Sequence, residues 1–263
     1  MSDRELLGRL HANLSAVAFK TRDSERVGPF SAYVEPLRPI KYLSWALPDP
    51  DTPAAELAAA LPALEEHYRA HDRLPRIEHF EAVCPDLVGV VEEAGWTLSE
   101  RTPIMVCTPQ SFVTPPAVEG LTVERVGPDA DEAVVCGFMD AQREAFDDSD
   151  PITPEQIDRW RERSRDEYCF AGFLDGNVVG TAVALPITVG VTEVAGVATR
   201  PAHRRRGIAG SVTAAVVATT FADGAELAYL TAADDAAARI YTRAGFAKAG
   251  IASSWDGPSS GSG

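Results

Sequence analysis

One segment restricts the fold more than any other: Val197-Ala-Thr-Arg-Pro-Ala-His-Arg-Arg-Arg-Gly-Ile-Ala-Gly210, running into an alanine- and valine-rich stretch. An apolar strand ends at Thr199, Pro201 turns the chain, and Arg204-x-x-Gly207-x-Ala209 opens a helix. The N-terminus of a helix carries unpaired backbone N–H groups and partial positive charge, so it can hold a phosphate. Gly207 lets the backbone approach an anion without a Cβ in the way, and three arginines add charge-assisted donors. The segment has neither the Lys-Ser/Thr of a P-loop nor the spacing of a dinucleotide-binding glycine fingerprint.

The order of elements around the loop narrows the choice further. Tyr168 to Leu174, the turn Asp175-Gly176-Asn177 and the run from Val178 to Pro186 read as two strands joined by a tight hairpin. A third strand, Val191–Thr199, leads into the loop. Then come a helix from Ile208 to Phe221, a strand Leu227–Thr231, a helix from Asp234 to Arg243 and a stop at Ala244-Gly245-Phe246. Upstream, the run from Pro154 to Arg165 patterns as an amphipathic helix with Ile157 and Trp160 on one face.

The Arg-x-x-Gly-x-Ala loop together with Tyr241-Thr-Arg-Ala-Gly-Phe246 resembles the two signatures of the GNAT superfamily of N-acetyltransferases. The resemblance implies an α/β fold with a mixed sheet over residues 118–255, acetyl-CoA as acyl donor and no metal. It implies that the donor's pantetheine arm lies along strand Val191–Thr199, with backbone groups of Val197 and Thr199 pairing with its amides and the N–H of Ala198 facing the thioester oxygen. The pyrophosphate would rest on the N–H groups of Arg205, Arg206, Gly207, Ile208 and Ala209, with Arg204 anchoring the loop. The acceptor implied is a primary amine of a small molecule. Two rivals stand beside this reading: a CoA-binding sensor or scaffold without turnover, and the same fold with another acyl group or a hydroxyl or thiol acceptor.

Catalytic candidates follow from what acyl transfer needs. Tyr241, four residues before Gly245, matches the family's general acid, and a phenol has a pKa close enough to a thiol's to protonate a leaving sulfur. The alternative is a half-buried core tyrosine. Glu193, fourteen residues before Gly207, is the candidate base. By strict alternation it shares a face with Val191, Ala195 and Val197, where an acidic side chain among apolar neighbours needs an explanation. The alternative is a strand-end glutamate paired with an arginine. Asp234 stands where the family usually has an asparagine touching pantetheine; as a helix N-cap it is explained without any ligand. His203 is expected to face phosphate or solvent. Asp147, Asp148, Asp150 and Glu155 are candidates for attracting a cationic amine, or a solvated acidic stretch.

The first half is organised differently. A boundary is expected at the Pro- and Gly-bearing stretch 113–120, separating residues 1–112 from a catalytic domain over 121–255, with 256–263 a flexible tail. Strands at Tyr42–Leu47, Arg76–Ala82 and Thr97–Cys107, and helices at Pro53–Ala70 and Pro85–Ala94, are expected before it. Val91-Glu-Glu-Ala-Gly-Trp96 echoes Tyr241 to Phe246 at an offset of 150 residues, and Ile77–Glu81 then falls on Leu227–Thr231. Val91 replaces the tyrosine, and no glycine occurs between Gly28 and Gly89, so the helix at Pro53 cannot open with a glycine loop. Two readings remain: a partial, GNAT-like N-terminal domain that has lost CoA binding, or an unrelated α/β segment. After Phe246 only one strand's length remains, and strand Ser99–Cys107 is proposed to supply the missing edge.

Composition sets outer limits. With 45% apolar residues the chain can bury a core, and a net charge of -15 argues against nucleic-acid binding. No run of eighteen apolar residues and no leader pattern point to a cytoplasmic protein away from membranes. Cys84, Cys107, Cys136 and Cys169 have no metal-ligand spacing and read as reduced thiols. Monomer and homodimer are equally compatible with all of this.

Overall fold

A computed structural model describes residues 3–35, 43–145 and 151–258 of the chain. In chain order it contains α1 (Asp3–Thr21), β1 (Asp23–Val27), β2 (Phe30–Val34), β3 (Trp45–Pro48), α2 (Ala54–Ala70), β4 (Arg76–Phe80), α3 (Leu87–Glu93) and β5 (Thr97–Cys107). There follow β6 (Thr122–Arg125), α4 (Glu132–Ala145), α5 (Pro154–Arg163), β7 (Tyr168–Leu174), β8 (Asn177–Ala184) and β9 (Val191–Thr199). A 3-10 turn at Pro201–His203 leads to α6 (Ile208–Ala222), β10 (Leu227–Thr231), α7 (Asp235–Arg243) and β11 (Ala247–Asp256).

Two compact units result. The second comprises Met105–Leu230 and Asp234–Ala247. Its sheet runs β10-β9-β8-β7-β6, with β10 parallel to β9 and the other pairs antiparallel. The hairpin β7–β8 closes on Asp175 (φ 49) and Gly176 (φ 77), both left-handed, as a two-residue turn matching the strand twist requires. Val135, Phe138 and Ala141 of α4 pack with Trp160 of α5 against Ala171, Val178 and Val183. The spacing of three residues in α4 places its apolar stripe on the sheet. Helix α5 starts with a capping box, Thr153 and Gln156 satisfying each other's backbone N–H.

The first unit comprises Met1–Ile104, Thr231–Ala233 and Lys248–Gly263. Its sheet runs β1-β2-β3-β4-β11-β5, so the strand from the far end of the sequence lies between two strands of the first half. β11 is antiparallel to β4, with Trp255 opposite Ile77 and Asp256 opposite Arg76. Leu57, Leu61, Leu64 and Tyr68 form one stripe of α2, burying against Ala46, Ile77, Leu87, Val91, Trp96 and Trp255. The fully buried guanidinium of Arg76 is held by Glu78 (2.9 Å), Asp256 (3.0 Å), Ser99 (2.8 Å) and Glu100 (3.3 Å). A buried cation is tolerated only with such complete pairing.

This division departs from a boundary at 113–120 in two places. Residues 105–113 stay with the second unit because they pack on the end of α7: the Val113 N–H donates to the Ala244 carbonyl at 3.1 Å. β11 joins the first unit because Trp255 is needed in its core and Asp256 on Arg76. Asp256 is therefore part of a strand and not of a flexible tail; residues 259–263 of that tail lie outside the described residues.

The internal echo has a geometric counterpart. Helix α3 ends with Gly95 (φ 77) and bonds from Gly95 N to Glu92 O (3.1 Å) and from Trp96 N to Val91 O (2.9 Å). Helix α7 ends with Gly245 (φ 94) and bonds from Gly245 N to Thr242 O and Phe246 N to Tyr241 O, both 3.1 Å. These are the same left-handed helix stop, 150 positions apart. The order β3-α2-β4-α3 likewise repeats β9-α6-β10-α7. The first unit is thus a partial second copy of the fold. Its helix α2 begins at Pro53 (φ -63), without a left-handed residue at its N-cap.

Candidate functional site

Strand β9 is irregular, and the irregularity shapes the site. Its pairing with β8 shifts by one residue between Thr181 and Val183: Thr181 lies opposite Ala198, whereas Val183 lies opposite Ala195. Two residues, Gly196 and Val197, thus oppose Ala182, a β-bulge with Gly196 in the left-handed region (φ 57). Thr181 and Val183 share a face, so Ala195 and Ala198 do too. Strict alternation had put Val197 on the face of Glu193; the extra residue removes Val197 from it and places Ala198 there. Nothing in the residue order Ala195-Gly196-Val197 except the glycine signals the bulge.

The other edge of β9 is only half used. Register with β10 covers Val191, Thr192 and Glu193, opposite Leu227, Ala228 and Tyr229. From Val194 to Thr199 no residue of β10 is in register, so the backbone of Val197, Ala198 and Thr199 has no ladder partner in β10. Ala198 is buried, and Val197 and Thr199 are partly exposed.

The loop that follows alternates its backbone hand. Arg204 has φ -62, Arg205 +65 and Gly207 +86, with Arg206 not in the positive region. Arg204 is extended (ψ 158), and the left-handed Arg205 and Gly207 on either side of Arg206 turn successive N–H groups toward one concave side, the geometry of a backbone nest. Gly207 is also the N-cap of α6, whose fifteen residues begin at Ile208 without a side-chain cap, leaving the first-turn N–H groups of Ile208 and Ala209 open. Arg204, Arg205 and Arg206 are exposed and make no ion pair among the described residues. Arg204 Nε reaches the Thr199 carbonyl at 3.4 Å, and Arg206 lies 3.3 Å from His203 Nδ1. Close packing holds the loop's base: a Cβ on Gly180 would come within 2.5 Å of Ile208 Cγ2.

Tyr241 sits on α7 with its ring against Phe246 and is 8% exposed. Its hydroxyl has no hydrogen-bond partner among the described residues. Burial, with a smaller contribution from the Asp234 charge, pushes its pKa up to about 12. Asp234 is the N-cap of α7, its Oδ1 accepting from the Ala237 N–H at 2.7 Å. Glu193 is partly buried on β9 and accepts a hydrogen bond from the fully buried Tyr229 hydroxyl at 3.1 Å. No sequence signal marks Tyr229; its register opposite Glu193 follows from the parallel pairing, which spacing alone does not specify.

A cavity of about 580 Å³ lies beside the loop, walled by Arg200, His203 and Arg206, the β7–β8 turn and the first turns of α4. His203 therefore faces this cavity. Neither Tyr241 nor Glu193 lines it, so it is separate from the proposed chemistry. Arg200 is committed elsewhere, donating to the Val178 carbonyl (2.7 Å), the Gly137 carbonyl (3.3 Å) and Glu144. Asp147, Asp148 and Asp150 lie outside the described residues; Glu155 is on the exposed first turn of α5. Among the described residues no three metal-binding side chains cluster, and no helix is long and apolar enough to cross a membrane.

Residues 136–246 match the profile of the Acetyltransferase (GNAT) family, and the chain carries a GNAT acetyltransferase domain there, the domain of an acyltransferase enzyme. A GCN5-related N-acetyltransferase from Kribbella flavida is similar over nearly the whole chain. The two share 28% identity, with 96% of each chain covered and a TM-score of 0.80. A GCN5-related N-acetyltransferase from Sphaerobacter thermophilus is 22% identical over 87% of this chain and 76% of its own, with a TM-score of 0.66. A tandem GNAT protein from the clavulanic acid biosynthesis pathway is 13% identical over 88% of this chain and 79% of its own, TM-score 0.59. The last two are likenesses of fold. No curated protein sequence matches this chain significantly.

Proposed function

We propose that the chain transfers acetyl from acetyl-CoA directly to a primary amine of a small molecule. The observation that carries this reading is the pair of left-handed residues Arg205 and Gly207 at the start of α6, in a loop whose three arginines make no ion pair among the described residues. A nest of N–H groups with guanidinium groups free of ion pairs among the described residues suits a diphosphate. The donor fits the rest of the second unit as well: past Glu193 strand β9 has no ladder partner in β10, which leaves strand backbone for an extended polar arm, as an added strand would use it.

The thioester supplies the acetyl group when bound, and the protein's residues supply the remainder. Backbone of Val197 and Thr199 orients the arm, and the N–H of Ala198 polarises the carbonyl. Glu193 takes a proton from the acceptor ammonium, directly or through water, with the Tyr229 hydroxyl holding its carboxylate in place. Tyr241 gives its proton to the departing sulfur; its raised pKa keeps it protonated, as an acid requires. Asp234 acts as a helix cap and as the charge beside Tyr241. The first unit, without a glycine loop at α2, binds no donor.

Calorimetric titration with acetyl-CoA tests the donor assignment. One site per chain, lost in Gly207→Glu, is expected. No binding would overturn the enzyme reading in favour of a scaffold, and two sites would overturn the assignment of the first unit. Thiol release across mixed amine, alcohol and thiol panels then separates the acceptor classes.

A further inference from the structure

The bulge in β9 is held from two directions. Thr181, fully buried on β8, donates its hydroxyl to the Gly196 carbonyl at 3.1 Å. Gln142, on α4, donates its amide to the same oxygen at 3.2 Å. The Gln142 amide also occupies the space a side chain at position 196 would fill, since a Cβ there would lie 2.5 Å from its Nε2. Glycine exchanges among backbone conformers more readily than any other residue, so a left-handed glycine inside a strand needs outside restraint to keep one geometry. Two convergent donors on its carbonyl supply that restraint.

We propose that Gln142 and Thr181 are positioning residues for acyl transfer. Through the Gly196 carbonyl they hold the bulge, and the bulge sets the direction in which the next N–H groups, those of Val197 and Ala198, leave the strand. This rests on the donor reading above. Among the described residues neither side chain hydrogen-bonds to the loop or to α7, so their effect belongs to the geometry of the reacting carbonyl and not to the grip on the diphosphate. A donor N–H misplaced by a fraction of an ångström still binds the ground state but loses much of its value as the carbonyl oxygen gains charge.

Three single variants of the full chain test this. Gln142→Glu keeps the side-chain shape and removes the donor, Thr181→Val keeps the shape and removes the hydroxyl, and Thr181→Ser keeps the hydroxyl. CoA affinity is read by calorimetry, turnover by thiol release from acetyl-CoA to a mixed amine panel or to water, and amide hydrogen exchange at 196–198 by mass spectrometry. Gln142→Glu and Thr181→Val are expected to bind CoA within about twofold of wild type. Their kcat should fall about tenfold with little change in KM for acetyl-CoA, and exchange at the bulge should quicken. Thr181→Ser is expected to restore kcat. Unchanged kcat in both donor-less variants, or Thr181→Ser as impaired as Thr181→Val, overturns the proposal while leaving the donor reading intact. A wild type that does not bind acetyl-CoA overturns the donor reading, and this inference with it.

Discussion

Gly207 offers a way to separate the fold's requirement for glycine from the ligand's. Its φ of +86 lies where an L-residue pays roughly 1–2 kcal/mol, and an added Cβ would sit 3.1 Å from Val118 Cγ2, closer than ordinary contact. Alanine also narrows the unfolded ensemble, returning about 0.4–1 kcal/mol. Gly207→Ala should therefore destabilise by about 1 kcal/mol, or about 2–4 °C in Tm. Gly224 is the matched control. It stops α6 with φ +98, has nothing within 4 Å of its would-be Cβ, and lies about 22 Å along the helix from the loop. Gly224→Ala should cost a similar stability. Only Gly207→Ala should also weaken acetyl-CoA binding, by about tenfold, because its N–H groups relax from the concave arrangement. Scanning fluorimetry and calorimetry on both variants decide the matter. Equal loss of affinity in the two, or none in Gly207→Ala, would refute the nest as the anion site.

Tyr241→Phe should lower kcat by about 10- to 100-fold with CoA affinity unchanged, and wild-type turnover should show no loss of the acid below about pH 10. A phenylalanine variant with normal turnover would remove the phenol from the chemistry. The two helix stops related by the repeat should respond unequally. A Cβ on Gly245 overlaps the Ser111 carbonyl, whereas one on Gly95 meets nothing within 4 Å. Gly245→Ala should cost upward of about 3 kcal/mol and Gly95→Ala about 1 kcal/mol, read from urea midpoints; equal costs would contradict the packing of residues 105–113 on α7. His11 and His79 are held by burial at pKa values of about 4, below the unfolded 6.5. The unfolded chain therefore takes up protons first. Stability present above pH 6.5 is lost as pH falls toward 4, by up to on the order of 3 kcal/mol per histidine. His79→Leu should flatten that dependence in urea titrations at pH 7 and 4.5, and an unchanged slope would exclude His79 as its source.

The second unit was largely legible because its signals are local. Asp175-Gly176 dictates a hairpin, Pro201 and Gly207 bracket a loop, and Ala244-Gly245 stops a helix; in each case one residue's backbone freedom decides the conformation. The bulge at Gly196 and the Tyr229–Glu193 bond were not legible, because both depend on the register of one strand on another, which residue order alone does not set. In the first half α1 and the β1–β2 hairpin went unread, although Gly28-Pro29 before the β-prone run Phe30–Val34 carries a turn signal. The placement of β11 had no local signal at all. Its residues show no alternation that would assign it to one sheet, and its destination is chosen by Arg76, whose buried charge requires Asp256.

That placement bears on the order in which the protein is made. When a ribosome has finished β5, the first unit still lacks the strand that will lie between β4 and β5, and Arg76 still lacks one of its carboxylates. The missing strand is about 140 residues away, beyond the entire stretch that carries the acetyltransferase signature. The older half of the nascent chain must wait, with two strand edges open, while the younger half folds. The first unit is the first begun and the last completed.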